Sequence, residues 1–200
     1  MTETRAAPRP SRKTVLALIV VFVGPLALAI LLFAFHDRLP IPAAVTVGEL
    51  ILPPTPMPDL HPRPLLEAPL PTPLFRGHWT LLYMSQGRCD LDCEANLFKM
   101  RQVRLSMGRD MGRVERLLLI APPVAHGALE QIARRYPGLA VAALERADRQ
   151  ALAQILGPGA ENRIHIVDPL GNAMMRYPAE VPAKGLLKDL KRLLKVSQIG

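Results

Sequence analysis

WTLLYMSQGRCDLDCEANL, residues 79–97, opens with the pattern of a strand and closes with that of a helix. Trp79 to Ser85 is a compact apolar run of strand length. Cys89 and Cys93 follow at once, separated by Asp-Leu-Asp. Further on, Leu97, Met100, Val103 and Met107 recur at helical spacing, which predicts a helix over residues 94–111. The cysteines thus fall at a strand-to-helix junction. If the helix begins near Cys89, the pair lies one turn apart on one face, with Cα atoms about 6 Å apart. That is near the upper end of the usual disulfide range, so a bridge there is expected to be reversible and somewhat strained. A helix N-terminus supplies unpaired N–H groups and a positive dipole end, and both stabilise a thiolate. Arg88 acts in the same sense, while Asp90, Asp92 and Glu94 oppose it. Cys89, nearer the turn, is the expected nucleophile. Such a pair can cycle between dithiol and disulfide or hold a soft ion such as Cu(I). The bland alternative is a local disulfide without turnover. Two cysteines this close do not make the framework of a secreted disulfide-rich fold.

Downstream, helices and apolar strands alternate. Residues 114–121 (VERLLLIA) form a strand, 128–136 a helix stopped by Pro137-Gly138, 139–144 a third strand, and 148–156 a short helix. Residues 163–167 and 173–177 are strands joined by the tight turn Leu170-Gly171-Asn172. After Pro182 comes an amphipathic helix with Leu186, Leu187, Leu190, Leu193 and Leu194 on one face. The order predicts an α/β three-layer sandwich, closed by a hairpin and a helix in the thioredoxin pattern. The strands at 79–85 and 163–167 should be central, with the Cys89 turn at the sheet's edge. His165 alternates with Ile164 and Ile166 and so points to the opposite face of its strand. It is either a third metal ligand or a buried ordinary histidine. Met100, Met107 and Met111 share a surface with Leu97 and Val103, so they read as core and not as thioether ligands. His126 has no partner motif that would make it catalytic.

Upstream, residues 14–35 (TVLALIVVFVGPLALAILLFAF) contain no charged residue over 22 positions. A helix of that length spans about 33 Å, enough for ~30 Å of hydrocarbon. Arg5, Arg9, Arg12 and Lys13 precede it, against His36, Asp37 and Arg38 after it. The charge bias places the N-terminus in the cytoplasm and the rest outside. A cleaved signal would have a shorter apolar region and small residues at its end. The chain therefore divides into a basic cytoplasmic tail (1–13), a transmembrane helix (14–35), a proline-rich linker (36–74) and a folded domain (75–200). The linker is proline-dense and reads as an extended spacer, with a short strand or docking segment conceivable at 45–52.

The 25 basic against 17 acidic residues give a net charge of +8. Nucleic acid is excluded as the partner by the lack of any recognised binding motif, the 4% aromatic content and the external location. An anionic membrane surface or an acidic partner fits better, and Lys184, Lys188, Lys191, Arg192 and Lys195 line the outer face of the last helix.

The stretch at 79–97 resembles the copper-site region of the SCO/SenC family. These are membrane-anchored, thioredoxin-like proteins that assist copper delivery to cytochrome c oxidase. RIHIVDPLGNAMMRYP, residues 163–178, is similar to that family's strand–Asp-Pro-x-Gly–strand hairpin, and the N-terminal anchor fits too. The resemblance implies Cu(I) held by Cys89, Cys93 and a third ligand, for which His165 is the nearest candidate. It implies a periplasmic domain tethered to the bacterial inner membrane and, as partner, an oxidase subunit or its assembly factors. Three departures stand out. Glu94 replaces the proline after the second cysteine, Ala121-Pro122-Pro123-Val124 replaces an acidic segment, and residues 159–162 carry no histidine. Three functions remain: an assembly factor acting as thiol reductant or copper carrier, a general periplasmic thiol–disulfide oxidoreductase, or a scaffold without a redox cycle.

Overall fold

The computed structural model describes residues 11–35, 46–197 and 199. Two compact units divide the chain at Val45/Thr46. Arg5, Arg9 and the flank His36, Asp37 and Arg38, on which the expected orientation rests, lie outside the described residues.

The first unit holds α1 (Arg12–Ala34), 23 residues capped by the Ser11 hydroxyl, which accepts from the Thr14 amide at 3.3 Å. Its mean hydropathy is 3.0 and none of its residues is buried. A helix apolar on every side with no protein covering it has the composition of a membrane span.

The second unit is a seven-stranded sheet of order β1-β7-β6-β3-β4-β5-β2. The strands are β1 (Glu49–Pro56), β2 (Arg63–Pro64), β3 (Trp79–Ser85), β4 (Val114–Ile120), β5 (Ala140–Ala143), β6 (Ile164–Val167) and β7 (Asn172–Tyr177). β3, β4 and β5 are parallel, and the remaining pairings are antiparallel. β3 is at the centre with every residue buried, as a strand covered on both faces must be. One face packs against α2 (Leu91–Leu105), α3 (His126–Arg135) and α5 (Ala183–Val196), through Leu81, Tyr83, Leu97, Leu118, Ile132 and Leu190. The other packs against α4 (Arg146–Leu156), through Leu82, Met84, Leu119 and Leu152. Met84, Met100 and Met107 are buried in these cores.

The proline-rich stretch needs correcting. It is not a spacer up to residue 74: residues 49–56 and 63–64 supply both outermost strands, and Leu60 and Phe75 enter the core beside α4. Proline is tolerated there because an edge strand has one side free of ladder hydrogen bonds. The β1–β7 register breaks between Leu50 and Thr55, where Pro53 and Pro54 cannot donate. The folded unit accordingly begins near Thr46.

Candidate functional site

The chain leaves β3 at Ser85, whose hydroxyl donates to the Arg88 carbonyl at 2.9 Å and tightens the loop before the cysteines. α2 then starts at Leu91, two residues later than a helix beginning at Cys89 would require. Asp90 is its N-cap: the carboxylate Oδ1 accepts the Cys93 amide at 3.0 Å. Cys89 therefore precedes the cap and Cys93 is the third helical residue. The two are joined as a disulfide with Cα atoms 5.0 Å apart, inside the usual range. The strain expected of a regular helical turn loses its basis, because an extended N-cap residue separates the cysteines.

Burial makes the two sulfurs unequal. Cys93 is fully buried against the sheet, while Cys89 is half-buried at the surface. Cys89 lines a small recess with Glu94, Ala128, Ile132, Arg135 and Tyr136. In its wall Arg135 pairs with Glu94 at 2.6 Å, and the Tyr136 hydroxyl donates to the Glu94 carbonyl at 3.1 Å. A wider groove beside it runs along Gly87, Arg88, Pro122, Pro123 and Arg149. Gln86, at the start of the loop, hydrogen-bonds Glu161.

The Asp90 carboxylate caps the helix whose N-terminus would otherwise favour a thiolate. Asp90→Asn keeps an effective cap but removes the charge. In the reduced protein it should raise the thiolate population of Cys89 about two- to fivefold below its titration midpoint. Ultraviolet thiolate absorbance against pH reads this directly, and an unchanged curve would show that the cap charge does not act on the sulfur.

His165 does not join the cysteines. It pairs in register with Leu82, so its ring lies on the α4 face of the sheet, whereas Cys93 packs on the α2 face. It is fully buried, with Nε2 donating to the Ala160 carbonyl at 2.8 Å and Nδ1 without a partner among the described residues. Burial, set against the Ala160 hydrogen bond and helped by Arg163 and Arg176, pulls its pKa down to about 4. The unfolded chain binds a proton near pH 6.5 and the folded chain does not, so stability falls as pH drops through this window. The loss should approach about 3 kcal/mol by pH 4. Urea unfolding of the wild type and His165→Gln at pH 7 and pH 4.5 should show this slope in the wild type and a shallower one in the variant. Equal slopes would mean that His165 does not carry the effect. His126 is exposed and, among the described residues, stands 3.3 Å from Glu130 one helical turn on.

Residues that composition did not single out hold the N-terminal edge in place. Asp189 of α5 is buried, and its Oδ2 accepts the Val47 amide at 2.8 Å, the Gly48 amide at 3.0 Å and the Tyr177 hydroxyl at 3.3 Å. Arg176 pairs with Glu49 across the β1–β7 edge at 2.8 Å. The available signal was Asp189's position: it is the one acid in α5 and it falls on the leucine face.

A cysteine pair at the N-terminus of the helix following the central strand of such a sheet is the arrangement of a thioredoxin-like domain. The family model for the transmembrane-like, thioredoxin-like C-terminal domain matches residues 79–197, and the chain belongs to that family. Solved structures agree on the fold. Yeast Sco1 with copper bound superposes with a TM-score of 0.56 at 11% identity, covering 78% of this chain and 96% of that one. A SCO1/SenC family lipoprotein from Bacillus anthracis gives 0.55 at 12% identity, covering 72% and 98%. A DsbF homologue from Corynebacterium diphtheriae gives 0.58 at 9% identity, covering 75% and 95%. The SCO/SenC likeness read from the sequence is thus met at the level of the fold. No curated protein matches the chain.

Proposed function

We propose that the protein is a membrane-tethered thiol–disulfide exchange protein, acting outside the cytoplasm in the assembly of the copper site of cytochrome c oxidase. The observation that carries this reading is the asymmetric pair at the start of α2, with one sulfur at the surface and its partner buried behind it. In the reducing direction the Cys89 thiolate attacks a disulfide on the partner, forming a mixed disulfide and releasing one partner thiolate. Cys93 then attacks the Cys89 sulfur, expelling the second partner thiol and closing the Cys89–Cys93 bridge. Two electrons pass to the partner, and an external dithiol resets the pair. The SCO-like fold and the N-terminal apolar helix support the process and the tether. The positive tail before residue 14 supports the external placement of the domain.

The described residues offer a resident copper ion the two cysteine sulfurs and no His, Asp or Glu grouped with them. Reduction frees these sulfurs as two thiolates. Copper is better read as cargo, with the remaining ligand contributed by the oxidase subunit. The test is a glutathione redox titration of the full chain in detergent, followed by anaerobic Cu(I) titration of the reduced form. Reversible two-electron behaviour is expected, with Cu(I) binding lost in Cys89→Ser and Cys93→Ser and unchanged in His165→Ala. A disulfide that does not equilibrate with glutathione would leave only a structural role. Reversible exchange without Cu(I) binding would favour the general oxidoreductase.

A further inference from the structure

The end of the sheet away from the disulfide carries a second surface. β3 takes six residue steps from Trp79 to Ser85, about 20 Å, and the cysteines follow its C-terminal end. At its N-terminal end opens a cavity of about 400 Å³. Its apolar wall is Trp79, Leu170, Met174, Leu193, Val196 and Ile199. Leu170 at the hairpin tip is 60% exposed, Val196 87% and Ile199 53%. Exposed apolar side chains gathered at one opening mark an interaction site more than a chance surface.

The exposed charged side chains of α5 beside this opening are all positive. Arg192 stands in the cavity wall, and Lys184, Lys188, Lys191 and Lys195 run along α5 at i, i+4, i+7 and i+11, all exposed. Asp189 also lines the cavity, but it is buried and its Oδ2 is engaged by Val47, Gly48 and Tyr177. Asp168, likewise in the wall, folds its carboxylate onto its own turn and accepts the Leu170 and Asn172 amides at 3.0 and 2.7 Å. A cationic helix face ending in exposed apolar residues is the composition of a surface that lies on anionic lipid. A second copy of this chain would present the same exposed lysine face and be repelled by it.

We propose that the cavity and the α5 lysine stripe form a docking site for an anionic phospholipid bilayer, with phosphates on the lysines and acyl groups at Leu170, Val196 and Ile199. The site is independent of the disulfide chemistry. With lipid at the N-terminal end of β3, Cys89 sits at the far end, turned toward partners.

Trp79 is the sole tryptophan, buried in the cavity wall, so its fluorescence reports on the site. The experiment places the full chain in bilayer nanodiscs whose lipids carry brominated, quenching acyl chains. Discs containing phosphatidylglycerol should quench Trp79 strongly, and discs of phosphatidylcholine alone only weakly. Reversing Lys188, Lys191 and Lys195 to glutamate should lower the docked-to-free ratio at least about a hundredfold, at about fivefold per lysine. Val196→Ser with Ile199→Ser should abolish quenching while leaving every charge in place. In both variants glutathione exchange at Cys89 should be unchanged, which separates failure of docking from failure of the redox reading. Equal quenching in the two lipids, or quenching indifferent to both variants, overturns the proposal. An acidic protein that protects Trp79 where phosphatidylglycerol does not would overturn it in favour of a protein partner.

Discussion

Replacing Asp189 with alanine is expected to destabilise the folded unit by about 3–5 kcal/mol. One buried carboxylate oxygen accepts from the amides of Val47 and Gly48 and from the Tyr177 hydroxyl. Removing it leaves donors without their acceptor, and each such buried group costs about 1–3 kcal/mol. The surrounding packing is too tight to improvise. A Cβ on Gly48 would collide with the Tyr177 ring, and one on Gly185 would press on Val47. Asp189→Asn retains one carbonyl acceptor at the same place and should cost clearly less. Urea denaturation of the two variants beside the wild type measures the difference. An Asp189→Ala protein within about 0.5 kcal/mol of wild type would mean that the amides of Val47 and Gly48 find other acceptors, and that β1 is not held by this carboxylate. The expected intermediate symptom is loosening of β1, seen as faster amide exchange at Val47 and Gly48 than in β3.

The same clamp explains what the sequence could and could not reveal. The core strands were legible because their physics is local. WTLLYMS and VERLLLI are continuous apolar runs, and a strand buried on both faces needs nothing more to announce itself. The hairpin was legible from Leu170-Gly171-Asn172 between two apolar runs. The edge strands were not, since Pro53, Pro54 and Pro56 argue against a strand when read alone. What makes residues 49–56 a strand lies more than a hundred positions away, in Met175 and Arg176 across the ladder and in Asp189 behind it. Tertiary partners overrode local propensity, as they commonly do at sheet edges.

The site shows the same division. The two cysteines and their strand-to-helix junction follow from spacing alone. The start of α2 turned on Asp90, which is an excellent cap but is flanked by residues that would serve in a helix as well. A shift of two residues in the helix start removed the regular-turn geometry on which the expected strain rested. His165 was placed correctly on the face opposite Ile164 and Ile166, but alternation does not say which helices cover that face. The sheet order does: with β6 antiparallel to β3, His165 stands beside Leu82 and behind the sheet from Cys93.

The two cysteines should fail in different ways when replaced. Cys89→Ser removes the half-exposed sulfur and should abolish exchange with any protein or glutathione disulfide, because Cys93 is fully buried and out of reach of a bulky electrophile. Cys93→Ser leaves the attacking sulfur in place but removes the group that resolves the mixed disulfide. It should accumulate a stable adduct at Cys89 when oxidised glutathione is added, one glutathione per chain, while the wild type passes through this species and returns to the Cys89–Cys93 bridge. Mass spectrometry of the intact chain, quenched with acid at intervals, distinguishes the three proteins. Adduct on Cys89→Ser at a rate comparable to Cys93→Ser would reverse the assignment, for it would show that the helix start opens far enough to expose Cys93. Charge at the cap sharpens the comparison. In the Cys93→Ser background, Asp90→Asn should speed adduct formation, since the same carboxylate that caps α2 opposes the thiolate beside it. A rate unchanged by Asp90→Asn but abolished by Cys89→Ser would keep Cys89 as the nucleophile and remove Asp90 from its tuning.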